Sequence, residues 1–590
     1  MSVVEQRRGL DFIARASSPE EVLVPEDMDS EQRMMMNAIR EFAAKEVEPV
    51  MEKVLARDEA THRDLFRKAA ELGIFMAEVP EEYGGLGLSV LSIAGMNESR
   101  SFLGDFASTA FAHQGIGTLP LVNFGTPEQI EKFLPRCMSG EIMCSFALTE
   151  PSSGSDAMNI RTKAVLSADG SHYVVNGSKQ WITNAGWADL FMLFAKVDGR
   201  EFTCFLMERN SPGLTVHPNE KLLGIKGSSV CALTLENVKI PAGNVLGEIG
   251  KGHKVALCTL NLGRLKMASH CAGASKKALQ ISTAYAAERR QFGVPIGEFG
   301  LIQRKLAEMA ARTYAAESIA YRTAGMVYTA LQAMGDEARH SVEAKLKVLS
   351  EFSAECALAK VYNSETYNFC ADETLQIHGG YGFSEEYPAA KIYRDSRITR
   401  IYEGTAEICR ITAAKALLRR TTDAGAAWPV ATSGPAQSPD TGGPLAALKG
   451  HVDELKNVLL YVLDIVLREF GPEALLDKDK QQYLSCFSDM GVEIYAAESA
   501  ILRVLKLQAR HGEKALALPE AMARLVFERS VERVRQEATE ALAGFSDAGA
   551  LRDHLAKIET WLPLPCARIT LRSEIADALL ASGGKFPEYR

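Results

Sequence analysis

The strongest constraint on the fold is a β-rich block, residues 144–250, enclosed between two longer stretches with helical periodicity. The block contains the runs HYVVNGSKQWITNAG, LFMLFAKV, FTCFLMERN and CALTLENVKIP, separated by Gly, Asn and Pro. Short apolar runs that are bounded by turn residues are typical of an antiparallel sheet. On both sides of the block, apolar residues recur at three- and four-residue spacing, which predicts amphipathic helices. The predicted fold class is therefore α+β, and mostly α.

Shifts in composition divide the chain further. The stretch TTDAGAAWPVATSGPAQSPDTGGP is rich in Pro, Gly, Ser and Ala, a composition typical of a linker. Apolar residues at helical spacing after it predict one more helical domain. The predicted segments are an N-terminal extension (1–28), an N-terminal helical domain (29–143), the β-sheet domain (144–250), a helical-bundle domain (251–422), a linker (423–445) and a C-terminal helical extension (446–590).

Composition argues against several functional classes. The net charge of −9 and the pI near 5.8 disfavour a nucleic-acid binder, because phosphate binding relies on clustered Lys and Arg. No apolar run reaches the roughly 18 residues of a membrane-spanning helix. The first 35 residues have neither the apolar core of a signal peptide nor the acid-poor composition of a transit peptide. Eleven cysteines without Cys-x-x-Cys spacing predict reduced thiols, a cytoplasmic protein and no metal site.

The turn within RITRIYEGTAEICR raises the sharpest functional question, which concerns Glu403. A carboxylate just before a helix is favoured by the free backbone N–H groups and the helix dipole, so Glu403 could be a capping acid. It could also be a catalytic base, because Gly404 has no side chain to block the approach of a ligand. This window alone favours the capping interpretation.

Six segments together resemble the acyl-CoA dehydrogenase family. They are FALTEPSSGSDAMNIRTKA, NGSKQWITNAG, LNLGRLKMA, ERRQFG, LQIHGGYGFSEEYP and RIYEGTAEI, and they follow one another in the order and at the spacing of the family. The resemblance as a whole covers roughly residues 30–420. The linker, the extra helical domain and the motifs VPEEYGGLG, AHQGIG and EFGLIQRKLA are similar to the very-long-chain branch. The resemblance implies a helical, β-sheet and four-helix-bundle architecture. It also implies FAD as the cofactor and an acyl-CoA thioester as the substrate.

The resemblance reverses the interpretation of Glu403. It implies α,β-dehydrogenation to trans-2-enoyl-CoA in fatty acid β-oxidation, with Glu403 as the base that removes the α-proton. Some members carry the base before the arginine of the LNLGR segment, where this chain has Gly263. The implied substrate contacts are Ser155, Asn261, Arg264 and Gly404, with Arg264 beside Glu403. A solvated helix charge is the alternative for Arg264.

The implied FAD contacts are spread over four segments, and Thr405 and Glu407 complete the adenine side. For the segment that contains EPSSGSD the alternative interpretation is a surface turn, because Pro, Ser, Gly and Asp favour turns. For Trp181 it is a core tryptophan, and for His378 it is a packing residue. The implied contacts are Phe146, Leu148, Thr149, Gly154, Ser155, Trp181, Ile182, Thr183, Arg289, Gln291, Phe292, Gln376, Ile377, His378, Gly379, Gly380, Thr405 and Glu407.

The resemblance also implies partners. They are an electron-transfer flavoprotein as the acceptor and a second copy of the chain in a homodimer, in which residues 289–292 and 376–380 serve FAD across the interface. An acyl-CoA oxidase that uses oxygen, and a flavin-bound assembly factor with little turnover, are the alternatives. Long-chain substrates are expected, with Gly115 and Gly117 deepening the acyl tunnel and Leu119 and Pro120 closing it.

The C-terminal extension leaves two interpretations open. LPEAMARLVFERSVERVRQEATEAL places several arginines around an apolar strip, and basic amphipathic helices bind anionic membranes. Interspersed glutamates weaken this hypothesis of peripheral membrane contact. The alternative is that the extension covers a face of the core fold that smaller relatives use to form tetramers, which would leave a dimer.

Overall fold

A computed structural model describes residues 8–335, 341–422, 444–512, 516–563 and 566–586. The chain divides into two compact units. The helical unit comprises Met1–Asp29, Met267–Ala333 and Ser350–Arg590, and the mixed unit comprises Ser30–Lys266 and Met334–Leu349. Most of the predicted linker, residues 423–443, lies outside the described residues.

The α-helices before the sheet are short, whereas those after it reach 37 residues. In chain order the described α-helices are α1 (Asp11–Ala14), α2 (Ser30–Phe42), α3 (Met51–Leu55), α4 (Glu59–Glu71), α5 (Val90–Arg100), α6 (Phe106–Phe111), α7 (Leu119–Phe124), α8 (Pro127–Met138), α9 (Gly252–Glu288), α10 (Gly300–Gln332), α11 (Val342–Glu351), α12 (Ser353–His378), α13 (Pro388–Ser396), α14 (Ala406–Thr422), α15 (Pro444–Phe470), α16 (Gln481–His511), α17 (Ala517–Ala543), α18 (Ala548–Glu559) and α19 (Arg568–Ala581).

The predicted β-rich block forms the sheet of the mixed unit, and a separate two-stranded hairpin, β9–β10, lies in the helical unit. The described strands are β1 (Cys144–Ala147), β2 (Lys163–Leu166), β3 (His172–Thr183), β4 (Leu190–Val197), β5 (Glu201–Glu208), β6 (Leu214–Asn219), β7 (Val230–Pro241), β8 (Val245–Leu246), β9 (Arg290–Gln291) and β10 (Val294–Pro295).

The main sheet has the order β6-β7-β3-β2-β4-β5-β8, with β1 also paired to β4. Most pairings are antiparallel, as predicted, but β1 and β2 each run parallel to β4. The central strand β4 is buried along almost its whole length, which explains its nearly continuous apolar sequence LFMLFAKV. The predicted fold class, α+β and mostly α, is confirmed.

The C-terminal extension packs against the bundle helices of the helical unit. The apolar stripe of α15, from Val452 to Val466, is buried in the same core as residues of α10 and α12. The apolar residues at helical spacing after the linker therefore form a packing face of this helix.

Helix α17 carries the arginines that suggested a membrane-binding surface. Its apolar side chains, among them Met522 and Val526, are buried in the core of the helical unit. Its arginines are ion-paired, for example Arg524 with Glu520 at 2.7 Å. These contacts support the packing interpretation of the extension over insertion of this helix into a lipid surface. Among the described residues, no helix is long and apolar enough to cross a membrane.

The N-terminal extension is part of the helical unit, a feature that the sequence did not reveal. Two consecutive acidic residues are paired with arginine and lysine side chains of α16. Glu26 accepts hydrogen bonds from Arg503 at 2.6 Å, and Asp27 pairs with Lys506 at 2.6 Å. Closer to the start of the chain, the backbone N–H of Leu10 donates to the buried carboxyl group of Glu355 in α12.

Glu355 gives the helical unit a pH dependence that can be measured. Burial raises the pKa of Glu355 from 4.5 to about 7. Below pH 4.5 the carboxyl is protonated whether the chain is folded or unfolded. As pH rises from there to 7, the folded state retains a proton that the unfolded chain releases, so stability falls, by about 3 kcal/mol in total. We expect Glu355→Gln to match the wild-type thermal midpoint at pH 5 and to exceed it at pH 8.

The control for this prediction is Glu351→Gln. Glu351 also accepts an N–H group of the N-terminal segment, from Gly9 at 2.9 Å, but it is exposed. Thermal unfolding of the three proteins at pH 5 and pH 8 is the measurement. The prediction would be contradicted if the thermal midpoint of the wild type falls between pH 5 and pH 8 by no more than the midpoint of Glu355→Gln does.

Candidate functional site

In the mixed unit, the segment after β1 is tied to β3 by a buried ion pair. Lys179 donates to Glu150 at 2.8 Å and to the carbonyl oxygen of Leu148 at 3.1 Å, and both charged side chains are buried. Burial lowers the pKa of Lys179 to about 8. Burial alone would raise the pKa of Glu150, but the Lys179 charge and the hydrogen bonds to the carboxylate lower it. The segment is therefore an anchored loop, unlike a simple surface turn.

Strand β3 contains an irregularity at the predicted flavin residue Trp181. The pairing with β7 shifts register between Lys179 and Ile182, and Trp181 has φ 55°, which is rare for a non-glycine residue. A β-bulge of this kind redirects a side chain. The indole is 59 % exposed, so the interpretation of Trp181 as a core residue is wrong. A large aromatic side chain held outward by a strained backbone is suited to cover a ligand.

Two other predicted flavin residues lie beside Trp181. The N–H of Gln180 donates to the carbonyl oxygen of Thr149 at 2.9 Å, which brings Thr149 next to the bulge. The hydroxyl of Ser145 donates to the carbonyl oxygen of Thr183 at 2.5 Å. Thr149 and Thr183 are both half-buried, so their side chains are within reach of a ligand on this part of the sheet.

Beyond Glu150, the loop exposes the remaining predicted residues of this segment. Gly154 and Ser155 are exposed, and a Cβ atom on Gly154 would meet no atom within 4 Å. Ile182 and Leu148, in contrast, bury their side chains in the cores on the two faces of the sheet. Half-buried Phe146 packs its ring against Phe194 at 4.9 Å. These three side chains support the sheet, which leaves a ligand mainly their backbone atoms.

The predicted substrate pair lies on α9. Arg264 donates to the amide oxygen of Asn261 at 3.2 Å, and Arg264 is only 8 % exposed. Its interpretation as a solvated helix charge is therefore wrong. Arg264 lies in the mixed unit and Glu403 in the helical unit, so their predicted proximity stays a prediction.

In the helical unit, Glu403 lies in a strained turn immediately before α14. Glu403 has φ 56° and Gly404 has φ 85°, two consecutive left-handed residues. Thr405 is the residue that caps the helix, because its hydroxyl accepts the N–H of Ile408 at 3.3 Å. A capping role does not account for the conformation of Glu403. Strain of about 1–3 kcal/mol at a non-glycine residue is typical of functional sites.

Two side chains, one from outside the turn and one within it, connect this turn to the helical unit. Buried Lys360 on α12 donates to the carbonyl oxygen of Gly404 at 2.7 Å. Tyr402 packs against a small core that contains Cys271 and Tyr367. Burial, with Cys271 and the charge of Glu403 as further causes, raises the pKa of Tyr402 well above the usual range. Lys360 was missed in the sequence. A single lysine inside the apolar run CALAKV was the available signal, because lysine is rarely buried without a partner.

The ERRQFG segment forms the hairpin β9–β10, with Phe292 and Gly293 at its tip. Both residues have positive φ, 52° and 90°, as a two-residue hairpin turn requires. Asn-Gly is the usual sequence of such a turn, whereas Phe292 is strained and 95 % exposed. Gln291 is exposed too, and the guanidinium of Arg289 lies 5.3 Å from the ring centre of Tyr381. The hairpin thus presents an aromatic ring and an amide to solvent or to a partner, and half-buried Arg289 directly precedes it.

The QIHGG segment ends α12. Gln376, Gly379 and Gly380 are exposed, and Cβ atoms on the two glycines would meet no atom within 4 Å. Ile377 is buried, and His378 stacks on Tyr285 with ring centres 4.0 Å apart. Burial lowers the pKa of His378. The packing interpretation of His378 is confirmed, and only the amide and the glycine backbone of this segment remain open to a ligand.

In each unit, taken by itself, exposed and half-buried residues fit parts of FAD. Trp181 offers a flat apolar face for an isoalloxazine ring, and Thr149 and Thr183 offer hydroxyls to its polar edge. The open glycines at 154, 379 and 380 allow phosphates and ribose to approach the backbone. Arg289 can pair with phosphate oxygens through its planar fork. Glu407 at the start of α14 is exposed, whereas the Thr405 hydroxyl is already used as a cap.

The glycines predicted to deepen an acyl tunnel have a different role. A Cβ atom on Gly117 would lie 2.6 Å from Cβ of Cys144, and one on Gly115 would lie 3.1 Å from the ring of Phe111. Protein atoms therefore already fill the space beside both glycines. The prediction that Gly115 and Gly117 deepen a tunnel is therefore wrong, because the space that their missing side chains leave is occupied by Phe111 and Cys144.

Comparison with family models shows matches along most of the chain. Residues 29–141 match the acyl-CoA dehydrogenase N-terminal domain, and residues 145–238 match the middle domain. Two models described as acyl-CoA dehydrogenase C-terminal domain match residues 250–418 and 454–559. The second of these matches lies in the C-terminal extension, which is therefore part of the family resemblance.

Two known relatives cover nearly all of the chain. A probable acyl-CoA dehydrogenase of Bacillus subtilis is 37 % identical over 98 % of each chain. A crystal structure of an acyl-CoA dehydrogenase complexed with FAD from Bacillus anthracis matches with a TM-score of 0.94, 38 % identity and coverage of 98 % of this chain and 99 % of that one. The human very long-chain specific acyl-CoA dehydrogenase is 41 % identical over 58 % of this chain and about half its own length, 51 %. The chain belongs to the acyl-CoA dehydrogenase family.

Proposed function

We propose that this chain oxidises acyl-CoA thioesters to trans-2-enoyl-CoA, with Glu403 as the base that removes the α-proton. The observation that supports Glu403 best is its conformation. The turn is strained and left-handed, and Lys360 donates to the carbonyl oxygen of Gly404 within it. Thr405 performs the capping role that would otherwise explain an acidic residue there. We infer that this turn aims the carboxylate at a substrate.

Removal of an α-proton is difficult for an ordinary carboxylate. The α-proton of a thioester is far less acidic than a carboxylic acid, and a free glutamate has a pKa of about 4.3. Exclusion of water by a bound acyl chain would make the carboxylate of Glu403 more basic. Hydrogen bonds to the thioester oxygen would stabilise the charge that develops as the proton leaves, and the N–H group of Glu403 is our proposed protein donor.

FAD supplies the acceptor for the hydride that leaves the β-carbon. We assign Trp181, Thr149 and Thr183 to the isoalloxazine ring. Arg289, Gln291, Phe292, Gln376, Gly379 and Gly380 are assigned to the ADP part, together with Thr405 and Glu407. For Phe146, Leu148, Ile182, Ile377 and His378, whose side chains support the fold, the assignment is restricted to backbone contacts. Gly154 and Ser155 would face the phosphates and the pantetheine arm.

Substrate binding is assigned to both units. Ser155, Asn261 and Arg264 in the mixed unit and Gly404 in the helical unit are the proposed contacts. Buried Arg264, held by Asn261, would orient the carboxylate of Glu403. We also propose long-chain substrates in fatty acid β-oxidation, an electron-transfer flavoprotein as acceptor and a homodimer that uses the exposed Phe292 hairpin. Similarity to very long-chain specific enzymes supports the first of these proposals.

The test is anaerobic titration of the FAD-saturated protein with saturated acyl-CoAs of graded length. We expect the flavin absorbance to bleach, most completely at low concentrations of long-chain substrates, because each buried methylene adds about 0.8 kcal/mol of binding energy. Failure of every acyl-CoA to bleach the flavin would contradict the proposed reaction. Best bleaching by butyryl-CoA would contradict only the chain-length proposal.

The acceptor is tested separately with the reduced protein. We expect reoxidation by electron-transfer flavoprotein to be faster than reoxidation by oxygen. Faster consumption of oxygen, measured with an oxygen electrode, would assign the chain to the oxidase class.

A further inference from the structure

The helical unit contains a basic cavity that none of the assigned catalytic, flavin or substrate residues line. Its volume is about 670 Å³, and residues of α10, α12, α17 and α19 form its walls. Two of these helices belong to the bundle domain and two to the C-terminal extension. A concave site of this size matches the pockets that enclose small organic molecules, which are about 300–1,000 Å³.

Charge is concentrated in this cavity. Seven of the lining side chains are Arg or Lys, and three are Glu, although the whole chain has a net charge of −9. The three glutamates are already used. Glu308 pairs with Arg572 at 2.6 Å, while Glu373 pairs with Lys305 and Glu532 with Arg568. The lining therefore carries four more cationic side chains than carboxylates.

The four remaining cations differ in their surroundings. Arg529 and Arg533 pair with glutamates outside the lining, Glu493 at 2.8 Å and Glu537 at 2.9 Å. Arg304 is exposed, and it has no hydrogen bond or ion pair with the part of the chain that the structure describes. It is the cation of the cavity that is most available to a ligand.

Arg312 is the most constrained of the four. Its guanidinium lies 3.6 Å from the ring centre of Phe369, and its nearest carboxylate oxygen, on Glu308, is 3.8 Å away. Its Nε atom is buried and has no hydrogen-bond partner within the described residues. Burial, with the charge of Arg529 as the next cause, lowers the pKa of Arg312. These features indicate a surplus of positive charge that an anion would relieve.

We propose that this cavity binds a small organic molecule that carries two or more phosphate groups, of the nucleoside diphosphate class. Arginine forks match phosphate oxygens in pairs, and several arginines around one concave wall can hold more than one phosphate. Leu301, Phe369 and Leu525 provide apolar surface for the organic part. Because the cavity joins the extension to the bundle, such a ligand would also stabilise their contact.

The test uses the FAD-saturated protein, so that the probe cannot take the place of FAD. ADP binding is measured by isothermal titration calorimetry at low ionic strength, with adenosine as the uncharged probe. We expect saturable binding of ADP and none of adenosine. Arg304→Gln is expected to weaken ADP binding about tenfold, because one charge-assisted hydrogen bond is lost, and Arg304→Glu should weaken it further.

Arg552→Gln is the matched control. Arg552 is an exposed arginine of α18 in the same unit that does not line the cavity, so this variant should bind ADP like the wild type. All variants are first compared in FAD content and thermal midpoint, which an exposed substitution should leave unchanged. Binding by Arg304→Gln that equals binding by Arg552→Gln would overturn the site, and so would absence of saturable ADP binding to the wild type.

Two further probes identify the source of the phosphate. We expect inorganic pyrophosphate to bind more weakly than ADP, because it has no organic part to contact the apolar wall. Equal affinity would overturn the assignment of an organic ligand. Sedimentation with phosphatidylglycerol vesicles that depends on Arg304, together with no response to ADP, would overturn the soluble ligand in favour of a lipid headgroup.

Discussion

Replacing Glu403 with Gln is expected to abolish reduction of the flavin by acyl-CoA and to leave the protein folded and yellow. Gln has nearly the same shape as Glu and can keep the left-handed backbone of the turn, but its amide cannot accept the α-proton. A positioned general base contributes about 10²–10⁴ to a rate. We therefore expect the bleaching rate with a long-chain acyl-CoA to fall at least about a thousandfold.

The measurement is anaerobic stopped-flow absorbance at the flavin maximum, with FAD content determined on the same samples. Glu386→Gln is the matched control, because Glu386 is exposed in the helical unit and has no proposed role. A long-chain acyl-CoA should still shift the flavin spectrum of Glu403→Gln, since binding does not require the base. Bleaching of Glu403→Gln at a rate near that of the control would rule out Glu403 as the base.

The contact of Lys360 shows why the sequence could identify Glu403 as the candidate base but could not show how its turn is held. The motif Tyr-Glu-Gly-Thr identified the candidate base. The sequence did not show that a buried lysine from α12 holds the carbonyl oxygen of Gly404, because the two residues are 44 positions apart. Contacts of that separation depend on how helices pack, which local patterns do not encode.

The fold was predictable to the extent that it rests on local pattern. Alternating and continuous apolar runs predicted the sheet, and helical spacing predicted the stripe of α15 that is buried in the helical unit. The two parallel pairings of β4 were not predicted, because strand neighbours are a property of the tertiary structure. The same holds for the N-terminal extension, whose ion pairs to α16 span more than 470 residues.

In the candidate site, too, local sequence pattern predicted some features, and others depended on the tertiary structure. Sequence motifs selected Trp181, but whether it was a core residue or an exposed one depended on the bulge in β3. The motifs also selected Ile377 and His378, whose side chains turn out to be buried. A motif specifies which residue types recur, and it does not separate those that touch a ligand from those that support the backbone around it.

Replacing Lys179 with Met is expected to be the most destabilising of the substitutions considered for the mixed unit. Lys179 is fully buried, and its removal leaves the Glu150 carboxylate buried without its counter-charge. Breaking a buried ion pair in this way costs about 3–5 kcal/mol. Glu150 keeps the N–H and hydroxyl of Thr162 as donors, so we expect about 3 kcal/mol. In a unit of this size, that corresponds to a fall of roughly 6–12 °C in the thermal midpoint.

The double variant Glu150→Gln/Lys179→Met separates loss of charge balance from loss of packing. It removes the stranded carboxylate, so it should recover most of the midpoint that Lys179→Met loses. Lys163→Met on β2 is the matched control, because Lys163 is exposed and its replacement should leave the midpoint within about 2 °C. Thermal unfolding is followed by circular dichroism and by release of FAD fluorescence.

The FAD signal adds a functional readout to this prediction. Lys179 also holds the carbonyl oxygen of Leu148, and the next residue is the proposed flavin contact Thr149. We therefore expect FAD to be released from Lys179→Met below the temperature at which its helices unfold. If FAD release and unfolding coincide in Lys179→Met as they do in the control, the ion pair supports only the fold. If the midpoint of Lys179→Met equals that of Lys163→Met, the pair contributes nothing measurable to stability, and the anchoring of this loop must come from its backbone contacts with β3.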